Sequence, residues 1–209
     1  MKRGRGVPGC GSCIAGGAPG AYPAGMIVLR HCQSEFNLHF TRTRRDPGIV
    51  DPVLTVFGEQ QAEQASLALA EIEITRILVS PYTRALQSVA PIARARKLVP
   101  VVTPLVRERF AFTCDIGSPR SALQRRWTQL DFSHLDEVWW PGENEAEHEV
   151  LDRAERFRGE MAVLPDWRTT LVVSHWGFLL ALSGNSLENG TFHHVDPNTR
   201  PAEPVLWRH

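Results

Sequence analysis

Several things are scarce in this 209-residue chain, and each scarcity narrows the reading. No apolar run approaches the roughly 20 residues that a membrane-spanning helix needs, so no membrane partner is expected. Neither sign of charge is in excess, since 23 Lys and Arg balance 23 Asp and Glu. A global field that would draw the chain to nucleic acid or to an anionic bilayer is therefore missing, and any basic site has to be local. Cysteine is limited to Cys10, Cys13, Cys32 and Cys114, too few and too unevenly spaced for a disulfide framework, which makes a reducing cytoplasm the expected compartment. Cys10-Gly-Ser-Cys13 has the form of a CxxC pair. No second pair or His-x-x-x-His partner follows it, and the flanking glycines and prolines supply no element to hold it. There is no GxxxxGK(S/T) loop for a nucleoside triphosphate and no tight aspartate cluster for magnesium.

Residues 1–25 carry almost no large apolar side chains and are expected to form a disordered N-terminal extension. Met26, at the head of the first apolar run, is then an alternative start. From there to residue 209 one domain is expected, with strands and helices in alternation, which is the pattern of an α/β fold. The compact runs are "MIVLR" from 26, "RILVS" at 76–80 and "TTLVVS" at 169–174, with "VPVVT" at 99–103 weaker. The pattern predicts a helix over 56–70 capped by Thr55, and another opened by Ser80 as cap with Pro81 at its first position. A third, over 143–164, sets Val150, Ala154, Phe157 and Met161 on one face. Residues 110–142 are irregular and aromatic, suited to a small lid or to packing at the edge of the core.

Three of the apolar runs end in similar chemistry. "IVLRH" delivers Arg30 and His31, "ILVSPYTR" delivers Arg84 one turn into the next helix, and "TLVVSHWG" delivers His175. Side chains just beyond the carboxyl ends of parallel strands meet in one crevice. Parallel pairing would bring two histidines and two arginines together there. One histidine after a strand is ordinarily a packed or surface residue; four such groups at equivalent places are not. Guanidinium forks suit the planar, bidentate recognition of phosphate oxygens, so the cluster points to a phosphate ester.

The residues also carry a resemblance. "LRHCQSEFN" resembles the RHG-x-S-x-x-N signature of the histidine phosphatase superfamily, the phosphoglycerate mutase-like proteins. "DPVLTVFGEQQA", "VSPYTRALQS" and "LVVSHWGFL" are similar, in the same order, to that family's L-T-x-x-G-x-x-Q-A, S-x-x-x-R-A-x-Q-T and V-x-H-G-G segments. The resemblance implies a three-layer α/β/α fold around a mostly parallel sheet. It further implies that His31 is a nucleophile that becomes phosphohistidine, that Arg30, Arg84 and His175 hold the phosphoryl oxygens, and that Asn37 lies near that pocket. Glu108 falls where the family keeps its proton donor, although a glutamate among charged neighbours is ordinarily a surface residue. The segment from 108 to 132 resembles a branch containing plant and fungal members, in which Asp115, Arg120 and Ser121 would shape access to the site, or simply hold a loop.

The implied chemistry needs no cofactor and no metal, and the implied partner is a small phosphorylated metabolite. Cys32 stands where the common motif has glycine, either because the turn needs a small residue or as a reactive thiol beside cations. Trp176 replaces the first glycine of H-G-G and would narrow the pocket. The run "TRTRRDPG" at 41–48 would either draw a second anionic group or form a solvated loop, and His193 and His194 are read as marking the end of a last strand. Three functional readings remain open on these residues: a phosphatase, a mutase-type phosphotransferase, and a non-catalytic binder of a phosphorylated ligand.

Overall fold

The computed structural model describes residues 25–201 and Trp207. The expected N-terminal extension and the Cys10–Cys13 pair fall outside the described residues, apart from Gly25. Five strands form one sheet: β1 (Met26–Arg30), β2 (Arg76–Val79), β3 (Val101–Val102), β4 (Thr170–Ser174) and β5 (Phe192–Val195). Their order is β3-β2-β4-β1-β5, all neighbours parallel except β5, which runs antiparallel to β1 at the edge. Fully buried runs such as Met26 to Leu29 and Thr170 to Ser174 are what a parallel strand covered on both faces requires.

Helices cover both faces. Against one lie α2 (Val56–Ala68) and α3 (Thr83–Arg96), meeting Ile27, Leu29, Ile77, Val79, Leu171 and Val173. Against the other lie α5 (Glu147–Ala162) and α6 (Trp176–Ser183), meeting Met26, Val28 and Val172. The alternation follows from the two-residue period of the pleat. Two further helices, α1 (Glu35–Thr43) and α4 (Arg120–Arg126), complete the fold. The α5 face predicted from the sequence is buried as expected, at Val150, Ala154, Phe157 and Met161. The later part of the aromatic stretch packs the core, where Phe132 is fully buried and Trp139 meets Tyr82 edge-on with ring centroids 4.7 Å apart, whereas Phe112 faces a cavity.

Register sets the position of the site. Arg30 lies opposite Ser174, and Val79 opposite Val173, so β1, β2 and β4 end at the same level. His31, Ser80 and His175 leave the sheet there together. The sequence placed the start of α3 too early: the helix begins at Thr83, and Ser80 does not cap it. Asp51, from a distant loop, instead accepts hydrogen bonds from Thr83 N at 2.9 Å and Thr83 Oγ1 at 2.7 Å, which frees Ser80 for His175. His193 and His194 lie within β5, paired with Val28 and Ile27, and do not mark its end.

Candidate active site

His31 sits one residue past β1, almost fully buried, in the wall of a cavity of about 410 Å³. Its Nδ1 donates to the Cys32 carbonyl at 2.7 Å. Nε2 is thereby left with the lone pair. Burial first, then the neighbouring Arg84 and Arg30 charges, pushes its pKa well below the usual histidine value, so the ring is neutral.

Each arginine is aimed by backbone carbonyls. Arg84, the second residue of α3, donates Nη1 to Cys114 O at 2.6 Å and Nη2 to Asp115 Oδ1 at 3.1 Å, with both side chains buried. Arg30 donates Nη1 to Leu187 O at 2.6 Å, while its buried Nε meets no acceptor among the described residues. A buried donor without a partner costs about 1–3 kcal/mol, a cost that an incoming oxyanion would relieve.

Glu108 lies beyond β3, after a single 3-10 turn at Pro104–Val106, in the cavity wall. Its Oε1 accepts from Arg109 N at 2.8 Å, Gly177 N at 2.9 Å and Phe178 N at 3.2 Å, capping the first turn of α6 from outside. A full N–H set on Oε1 leaves Oε2 to carry a proton. Burial, followed by the negative charge of Asp115, raises the Glu108 pKa to about 6. His175 stands behind His31, ring centroids 5.0 Å apart, fully buried, with Nε2 on Ser80 Oγ at 2.7 Å and Nδ1 meeting no partner among the described residues.

Asn37 also faces the cavity. Its Oδ1 accepts from Ser34 N at 3.0 Å in the capping box that opens α1, so its amide N–H groups remain for a ligand. The six residues read as catalytic or phosphate-binding are therefore gathered at one end of the sheet, five of them in the cavity wall; His175 lies behind His31 and is not among the lining residues. Four supporting residues were not read as part of the site: Ser88, Gln61 and Asn189, which were not singled out, and Ser80, which the sequence pattern casts as a helix cap. Ser88 Oγ accepts from Cys32 N at 2.9 Å, Gln61 Oε1 from Gln33 N at 2.8 Å, and Asn189 Nδ2 donates to His31 O at 2.9 Å. Three of them stand inside the quoted segments, where motif order was the signal, but their partners lie on other elements.

Several finer expectations change. Asp115 lines the inner wall of the cavity and is fully buried, and its second oxygen accepts from Ala111 N and Phe112 N, so it holds its own loop there. Arg120 and Ser121 pair with Glu137 on the surface and lie outside the cavity wall. Cys32 is fully buried and its thiol is pushed up to about 11 by burial, which removes the reactive-thiol reading and leaves the steric one. Trp176 does line the cavity, as does Arg44 from the basic run; Arg42 and Arg45 are exposed away from it.

With this geometry established, comparison with known proteins decides the lineage. The model of the histidine phosphatase superfamily (branch 1) matches residues 26–197. The chain belongs to that superfamily. It is thus an enzyme of phosphate-ester chemistry, phosphatase or phosphotransferase. No curated protein matches it. Among solved structures, the histidine phosphatase chain is similar to a mycobacterial glucosyl-3-phosphoglycerate phosphatase complexed with VO3, at 22% identity and TM-score 0.58, over 80% of this chain and 88% of that one. It is also similar to the α-ribazole phosphatase of Shigella flexneri, at 18% identity and TM-score 0.56, over 79% of this chain and 87% of that one. These likenesses establish the shared fold.

Proposed function

We propose that this histidine phosphatase hydrolyses a small phosphate monoester through a phosphohistidine on His31, without a metal or organic cofactor. One observation carries the reading: a neutral imidazole, tied at Nδ1 to the Cys32 carbonyl, offers Nε2 to a cavity that also holds two buried guanidiniums. Arg30 and Arg84 take the equatorial oxygens and the Asn37 amide a further one, supplying charge where it develops in an in-line transfer. His175, hydrogen-bonded through Nε2 to the Ser80 hydroxyl and with Nδ1 meeting no partner among the described residues, backs His31 and steadies the transferring group from behind it.

In the first half-reaction the His31 Nε2 lone pair forms the N–P bond as the ester P–O bond breaks. The proton on Glu108 passes to the departing alkoxide. In the second, a water oxygen attacks the phosphohistidine, its proton returns to the Glu108 carboxylate, and the N–P bond breaks to release phosphate. The cavity volume of about 410 Å³ fits a small metabolite, and its outer wall, with Phe36, Phe40 and Phe112 in ring contact, receives the alcohol half. The names of the structural neighbours, a glucosyl-3-phosphoglycerate phosphatase and an α-ribazole phosphatase, put small phosphate monoesters first for testing.

A panel of phosphorylated metabolites assayed for phosphate release, with His31→Ala as blank, tests the proposal. Release by the native chain and none by the variant is expected. Undiminished release by the variant would end it, and bisphosphate-dependent interconversion of 3-phosphoglycerate without free phosphate would move the chain to the phosphotransferases.

A further inference from the structure

Glu108 sits on a stretch without regular secondary structure, yet its proton has to reach one oxygen of a bound ester. What holds that stretch is a pair of side chains, Arg153 and Glu145, that stand outside the cavity wall. Arg153, near the middle of α5, donates Nη1 to Leu105 O at 3.1 Å and Arg107 O at 2.8 Å, and Nη2 to Glu108 O at 3.4 Å. The same guanidinium is gripped by Glu145, Nε to Oε1 at 2.9 Å and Nη2 to Oε2 at 2.7 Å, both side chains nearly buried. Glu145 also accepts from Arg107 Nη2 at 2.8 Å, and its carbonyl accepts from Arg109 Nε at 3.0 Å.

The Glu145 N–H donates to Phe110 O at 3.0 Å, which closes the loop from its far end. Val106 O, between these points, accepts from Ser174 Oγ at 2.7 Å on β4. The carbonyls of Leu105, Val106, Arg107, Glu108 and Phe110 are thus all held from outside the segment. Arg153 also lies over the Phe178 ring at 5.0 Å, and Phe178 N is one of the donors to the Glu108 carboxylate.

We infer that Arg153 and Glu145 are positioning residues for the proton donor: they fix the backbone of Glu108 so that its carboxyl reaches the leaving oxygen. The inference rests on the proposed function and concerns a part of it that neither His31 nor the phosphate-binding arginines control. A lysine, with one point charge on a flexible stem, cannot span three carbonyls and a carboxylate as the planar fork does. A small misplacement of a proton donor is felt in the rate even when the fold is intact.

Leaving-group dependence separates positioning from mere stability. An alkyl phosphate such as glycerol phosphate needs its alkoxide protonated, whereas 4-nitrophenyl phosphate releases a stable phenolate unaided. The measurement is kcat/KM for both, which reports transfer to His31 irrespective of later hydrolysis. Glu108→Gln is expected to lose on the order of a hundredfold with the alkyl ester and little with the aryl ester. Arg153→Lys and Glu145→Gln, the conservative variants, are expected to lose roughly tenfold or more with the alkyl ester alone; Arg153→Ala adds the full deletion where it folds. Equal proportional losses on both esters, or no loss on either, overturn the positioning role while the function stands. Should Glu108→Gln itself fail to discriminate the esters, the proton-donor assignment and this inference fall together.

Discussion

A single hydrogen bond fixes the His31 ring, and burial beside two guanidiniums keeps it neutral, so its readiness to attack does not depend on pH near neutrality. Glu108 is different. With its pKa raised to about 6, it is protonated below that value and ionised above it, and only the protonated form can supply the leaving group. For an alkyl ester, kcat/KM should therefore fall as pH rises through about 6, and Glu108→Gln should flatten that descending limb; a limb that survives the substitution belongs to another group. Cys32 gives the opposite expectation at the same scale. A buried thiol pushed up to about 11 holds almost no thiolate at neutral pH, so peroxide followed by a reductant should leave activity unchanged at both steps. Inactivation reversed by the reductant would restore the redox reading. The identity of Cys32 was legible in the sequence as a departure from the motif, but its burial was not, because burial depends on Ser88 and Gly190 from elsewhere in the chain.

At the level of elements, three helix N-termini meet the cavity: α1 is capped locally by Ser34, whereas α3 and α6 are capped by remote carboxylates, Asp51 and Glu108. Local cap signals could not reveal this, which is why Ser80 was misread while Thr55, whose Oγ1 does accept from Gly58 N at 2.9 Å, was read correctly. Two glycines show how helix packing enters the chemistry. A Cβ on Gly58, in the first turn of α2, would run into the Gln33 carbonyl beside the catalytic loop, and backbone cannot step aside. A Cβ on Gly177, in the first turn of α6, would lie 2.6 Å from Glu108 Oε1, which can rotate away. Gly58→Ala should therefore cost about 1–3 kcal/mol of stability in denaturant unfolding. Gly177→Ala should leave the unfolding midpoint closer to native and reduce alkyl-ester turnover instead. A reversal of that order would mean that neither close approach is real.

For the molecule as a whole, the fold was legible because parallel strands buried on both faces leave continuous apolar runs, and because the basic residues follow those runs. The helices α1, α4 and α6 were not picked out: the first two are only nine and seven residues long, and the third is apolar all round, so it shows no amphipathic stripe. The supporting polar shell was invisible for another reason. Gln61, Ser88 and Asn189 act on the catalytic loop from 28 to 158 positions away in sequence. No helix among the described residues is long and apolar enough to cross a membrane. The unpartnered Arg30 Nε predicts that a bound oxyanion stabilises the entire fold. At about 100 times its Kd, inorganic phosphate should add roughly 2.7 kcal/mol and raise Tm accordingly. Arg30→Gln should reduce that rise at the same phosphate concentration, and an undiminished rise would place the anion elsewhere.

The central claim is that phosphorus passes through His31 Nε2. Rapid alkaline quenching of the enzyme during turnover of a ³²P-labelled monoester, followed by peptide mapping, tests it most directly, because a phosphohistidine survives base and is lost in acid. Label on the peptide containing His31, stable in alkali and released by acid, is the expected result. Turnover with no such label, or label that persists in His31→Ala, would contradict it.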